Sequence, residues 1–104
     1  GEDVYVAIDV VEEKTEDLDE LSRWILDSER KKDKNASVKK VTTPLGKAIE
    51  YDSIEDGSKR GKNLRIHRGG KRFLLVSLIG SAEGVKAVAA DFQKAKASLE
   101  AMVR

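Results

Sequence analysis

Apolar and polar positions alternate at the start of the chain, where Val4, Val6, Ile8 and Val10 interleave with Tyr5, Ala7, Asp9 and Val11. A period of two sends one set to one face of a strand, so the pattern predicts a strand from residue 4 to 12 with that first set buried. The spacing then changes to three and four: Leu18, Leu21, Trp24, Ile25 and, at the margin, Ser28 share one face of a helix expected over residues 16–31. Trp24 is expected in the core beside Leu21 and Ile25. Thr15 or Asp17 serves as the cap, and Asp17 with Glu20 resembles a capping box. Glu16, Asp17, Asp19 and Glu20 suit the positive end of the helix dipole, and Arg30, Lys31, Lys32 and Lys34 suit its negative end before Asn35.

The remainder reads as strands in hairpins followed by a helix. Val38 and Val41 mark a short strand that Pro44 breaks into a turn closing at Gly46, and residues 47–54 form the next strand with Ile49 and Tyr51 on one face. A turn over Glu55, Asp56, Gly57 and Ser58 leads to a strand containing Leu64, Ile66 and His67. Gly69 and Gly70 supply the positive φ angles of a tight hairpin. Residues 71–79 are apolar on both faces, with Phe73, Leu75 and Ile79 opposite Leu74, Val76 and Leu78, which predicts the middle of the sheet. Ser81 caps a last helix on which Val85, Val88, Phe92, Ala95, Leu99 and Met102 recur at helical spacing. The order β-α-β-β-β-β-α predicts an α+β fold, an antiparallel sheet with two helices packed on it. At 104 residues one domain, 1–104, is expected.

Composition narrows the chemistry. Hydrophobic residues make up 39% and charged residues 38%, a folded chain with a densely charged surface. No cysteine is present, which removes disulfides, thiolate metal sites and cysteine nucleophiles. The net charge of +1 conceals an asymmetry: residues 1–30 carry eleven acids against three bases, and residues 31–104 seventeen bases against eight acids. Pairing of the two halves within one fold is the favoured reading of that split, ahead of a dipolar docking surface.

Several motifs together resemble the PsbP-like superfamily: a strand leading to an acidic helix start, Val41-Thr-Thr-Pro-Leu-Gly46 running into Lys47-Ala-Ile-Glu-Tyr51, a Gly-Gly hairpin, and a final helix carrying Asp91, Phe92 and Ser98. That group takes in the photosystem II extrinsic protein PsbP, the Ran-binding Mog protein and small bacterial exported proteins. The resemblance implies a non-enzymatic accessory or protein-binding domain, exported or periplasmic, without a cofactor. Members usually open with a further hairpin bearing a Tyr-Pro or Phe-Pro and a Trp, and nothing upstream of Val4 supplies it. A sheet lacking that edge is expected to associate with itself by strand addition.

Candidate site residues are few. Lys59, Arg60, Lys62, Arg65, Arg68, Lys71 and Arg72 bring seven cations into residues 57–72 without one acid, a candidate anion-binding hairpin and the alternative function. Nucleic acid is disfavoured because no aromatics for base stacking interleave with them. Tyr5 and Tyr51 are candidates for lining a ligand pocket. His67, the single histidine, lies between Arg65 and Arg68 with no foreseeable carboxylate partner, so a structural role is expected and no catalytic residue is assigned. No metal site is assigned, because the acids of residues 12–20 read as a solvated helix start. No apolar run is long enough for a membrane span.

Overall fold

The computed structural model describes residues 4–55 and 57–88. Within them lie β1 (Tyr5–Glu12), α1 (Leu18–Arg30), β2 (Val38–Thr43), β3 (Gly46–Ile54), β4 (Lys59–His67), β5 (Arg72–Ser81) and α2 (Ala82–Ala87), the expected order. Phe92, Ala95, Leu99 and Met102 of the predicted last helix, Asp91 and Ser98 of the resemblance, and Asp56 of the predicted turn lie outside the described residues.

The five strands form one antiparallel sheet in the order β1-β5-β4-β3-β2. The chain therefore leaves one edge after β1, passes through α1 to the other edge at β2, and returns strand by strand until β5 pairs with β1. Two local devices make the connections. The Asp17 carboxylate accepts from the amides of Asp19 and Glu20 at 2.9 and 3.3 Å, and Thr15 Oγ1 accepts from the Asp17 amide at 3.0 Å, so the entry to α1 is a two-step cap. Between β4 and β5, Gly69 and Gly70 take φ of +114° and +54°, a conformation that side chains resist, and the Arg68 amide closes the loop on the Arg72 carbonyl at 2.9 Å.

Among the described residues the core lies in two clusters, one on each face of the sheet. Leu21 and Ile25 of α1 pack on Ile49, Tyr51 and Phe73, with Val11, Leu18 and Val38 at the margin. On the other face Val85 of α2 joins Ala48, Leu64, Ile66 and Leu78, with Val4, Val41, Leu45, Leu74 and Val88 around them. Alternation along β3, β4 and β5 feeds both clusters, as Phe73 and Leu78 show by burying on opposite faces.

Three expectations are corrected. The first strand does not bury Val6, Ile8 and Val10; they are 61%, 64% and 70% exposed, because β1 is an edge strand and the described helices cover other strands. Its better-covered residues are Ala7 and Val11 on the opposite face. Trp24 is 43% exposed and Ser28 is exposed, because the buried stripe of α1 runs through Leu18, Leu21, Ser22 and Ile25, and Trp24 falls about 100° of helix rotation short of Ile25. The middle strand is β4; β5 is paired on both sides but stands second from the edge, and Leu74, Leu75 and Val76 remain half-buried.

Candidate functional site

The candidate residues scatter over the fold rather than converging. Of the seven cations, Lys59 and Arg60 open β4 at one end of the sheet, while Arg68, Lys71 and Arg72 cluster at the hairpin tip at the other. Nine residues of strand separate these ends by about 30 Å. Three are engaged locally: the Arg60 guanidinium donates to the carbonyls of Gly57 and Lys59, Lys62 pairs with Asp52 at 3.2 Å, and Arg68 donates to the Leu45 carbonyl. Arg65 turns onto the α1 face, where its side chain is largely covered. Only Arg68, Lys71 and Arg72 form a compact, exposed cationic group.

Arg65 organises a buried polar cluster. One guanidinium nitrogen pairs with Glu13, another donates to the Tyr51 hydroxyl at 2.8 Å, and the guanidinium carbon stands 5.7 Å from the centre of the Tyr51 ring. The Arg65 and Glu13 side chains are only 17% and 19% exposed, and Arg65 Nε has no acceptor among the described residues. Burial pushes the Tyr51 phenol above its ordinary value of 10.0, against the opposing pull of the guanidinium. A second chain of polar groups crosses the same face: Ser77 Oγ donates to Asn63 Oδ1 at 2.7 Å, Asn63 Nδ2 donates to Ser53 Oγ at 2.9 Å, and Ser53 donates to the Glu55 carboxylate. A β-carbon at Gly61 would press into Ser53 Oγ, so the glycine is what allows this chain to close.

The two tyrosines do not share a pocket. Tyr51 is buried on β3 and Tyr5 is exposed on β1, three strand spacings or about 14 Å across the sheet. Tyr51 does border a cleft of about 570 Å³ where β3 runs on past the start of β2, but acids and bases alternate around it: Glu29, Asp33 and Asp52 with Lys39, Arg60 and Lys62. His67 caps the hairpin, its Nε2 lying 2.6 Å from the Gly70 carbonyl and its ring 5.0 Å from that of Phe73. Among the described residues no three His, Cys, Asp or Glu groups converge to hold a metal. No described helix is long and apolar enough to cross a membrane.

The acidic and basic halves of the chain do meet. Arg65–Glu13, Lys40–Asp19 and Lys32–Glu29 each join an acid of residues 1–30 to a base beyond them. The Lys40 ammonium, by hydrogen bond and by charge, holds the Asp19 carboxyl below its usual value.

The surface that stands apart is β1. Tyr5, Val6, Ile8 and Val10 are all more than half exposed on a strand that, among the described residues, is paired on one side alone, to β5. Sequence reasoning missed it because alternation reports that a strand has an apolar face, not that something covers that face; the signal available was that β1 carries no lysine, arginine or proline.

Fold and surface define an α+β domain with one five-stranded antiparallel sheet, helices on its opposite faces and one apolar edge. No family model matches the chain, and no curated protein or solved structure compared with it is detectably similar.

Proposed function

We propose that this chain is a non-enzymatic accessory domain of the PsbP-like kind that binds protein through the β1 edge. The observation that carries the reading is the 61–70% exposure of Val6, Ile8 and Val10 on an edge strand. An edge strand presents unpaired amides and carbonyls to an incoming strand, and an apolar stripe beside them adds the burial that makes pairing favourable. Export rests on the family resemblance alone. The test is a photo-crosslinking side chain placed at Val10, with Lys34 on the loop after α1 as the control. Covalent protein adducts at Val10 and not at Lys34 support the reading, and their absence at both positions in the native host sinks it.

A second reading takes the hairpin tip as an anion site, favoured by the exposure of Arg68, Lys71 and Arg72 around two glycines. Heparin titration at two salt concentrations tests it: binding at low salt that weakens as salt rises supports it, and none at low salt removes it.

A further inference from the structure

The free edge of β1 has a definite hydrogen-bond parity. The Glu13 amide donates to the Lys71 carbonyl at 2.8 Å, next to the Glu12–Arg72 pair that ends the ladder. In an antiparallel pair, hydrogen-bonded and non-hydrogen-bonded partners alternate, so Val11, Asp9, Ala7 and Tyr5 direct their backbone groups to β5. The other side of β5 agrees: the Arg68 amide donates to the Arg72 carbonyl, which commits Arg72, Leu74, Val76 and Leu78 to β4. Val6, Ile8 and Val10 therefore direct their N–H and C=O groups outward. They are the same three residues whose apolar side chains are exposed.

From this we infer that β1 pairs antiparallel with β1 of a second copy, about a two-fold axis at Ile8, giving a continuous ten-stranded sheet; the inference rests on β1 being the binding edge. Outward-facing residues must pair with outward-facing residues, which restricts the register to a few choices. An axis at Ile8 sets Ile8 against Ile8 of the second copy and Val6 against Val10, each as a doubly hydrogen-bonded pair, with all six apolar side chains on one face. It places Asp9 opposite Ala7 and Tyr5 opposite Val11, so no charge meets its like. Moving the axis to Asp9 sets carboxylate against carboxylate and Val6 against Glu12, and like charges directly opposed destabilise a pair. The contact is self-complementary, as a two-fold interface must be.

Cysteine substitution reads the register directly, since the chain has no cysteine of its own. Hydrogen-bonded antiparallel partners have α-carbons about 5.5 Å apart, within the span of a disulfide. Ile8→Cys should give a covalent dimer on oxidation; Val6→Cys alone should not, but should link to Val10→Cys when the two are mixed. In sedimentation over a concentration series the full chain should form a dimer, and Val10→Lys should abolish it, with the melting temperature unchanged from the parent only at dilutions where the parent is monomeric. Preferential linking through Asp9→Cys, a Val10→Lys variant that still dimerises, or a chain monomeric throughout the series overturns the two-fold pair. If the chain is monomeric yet Val10 crosslinks to a protein of a different mass, the two-fold pair fails while the β1 edge stands as a binding surface. Absence of every adduct removes both.

Discussion

The two edges of this sheet are built to opposite rules. β2 is six residues long, displays Lys39 and Lys40, and is flanked by α1. Where β3 outruns it, side chains from the last turn of α1 and the turn after it take the place of a neighbouring strand: Glu29 accepts from the Ile54 amide at 3.4 Å and Lys32 donates to the Ile54 carbonyl at 3.2 Å. β1 is eight residues long, carries no base, and leaves Val6, Ile8 and Val10 open. Short length, lysine and occupied backbone groups each discourage an intruding strand, and β1 has none of them. Among the described residues, then, one edge is closed and the other is not, which is the contrast on which the proposed binding role of β1 rests.

The largest effect expected from breaking this contrast lies one strand in from β1. Phe73 is fully buried, and its partner in the ladder is Val11 of β1. Phe73→Ala should cost about 3–5 kcal/mol in denaturant unfolding, while Val10→Ala, next to Val11 but on the exposed face of β1, should fall within about 0.5 kcal/mol of the parent. Next comes Arg65, which ties the loop after β1 to the centre of the sheet through Glu13. Arg65→Ala strands a mostly buried carboxylate and the Tyr51 hydroxyl and should cost about 1–3 kcal/mol by the same measurement.

On the β2 side, Asp17→Ala removes the acceptor for two amides at the start of α1 and should lower stability by about 1 kcal/mol in thermal or chemical unfolding. Tyr51 adds a pH signature. Its folded value lies above that of the unfolded chain, so its contribution is complete below about pH 10 and is lost as pH rises through the folded value. Unfolding measured from about pH 9 to about pH 11 should show a steeper fall for the parent than for Tyr51→Phe. The smallest effect on stability is expected from Lys39→Val with Lys40→Val, within about 0.5 kcal/mol, yet light scattering should show new concentration-dependent association as the second edge loses its guard.

The architecture was legible in residue order because local signals agreed with one another. Pro44 and Gly46 mark one turn, Gly69-Gly70 another, and Asp17 and Ser81 cap the two helices, the latter by accepting from the Gly84 amide at 2.9 Å. What could not be read is the lateral placement of strands. That β1 would pair with β5 depends on contacts some seventy residues apart, such as Tyr5 with Ile79, which no window of sequence contains. Trp24 failed for a related reason: helical spacing finds an apolar sector, but the sheet beneath chooses which part of that sector is buried. The basic run between Lys59 and Arg72 looked like one patch because it is continuous in sequence; a strand turns neighbouring residues to opposite faces and carries its ends apart, so proximity along β4 and its hairpin did not become proximity on the surface.

The clasp that Glu29 and Lys32 place on Ile54 also sets how far association can proceed. On the proposed pairing at β1, the rims that remain are both β2 rims, each six residues long, displaying Lys39 and Lys40, and continued past the start of β2 by the end of β3, where Glu29 and Lys32 hold the Ile54 backbone. Such rims are poor templates for a further strand, so the proposed pairing favours a finite particle over a fibril.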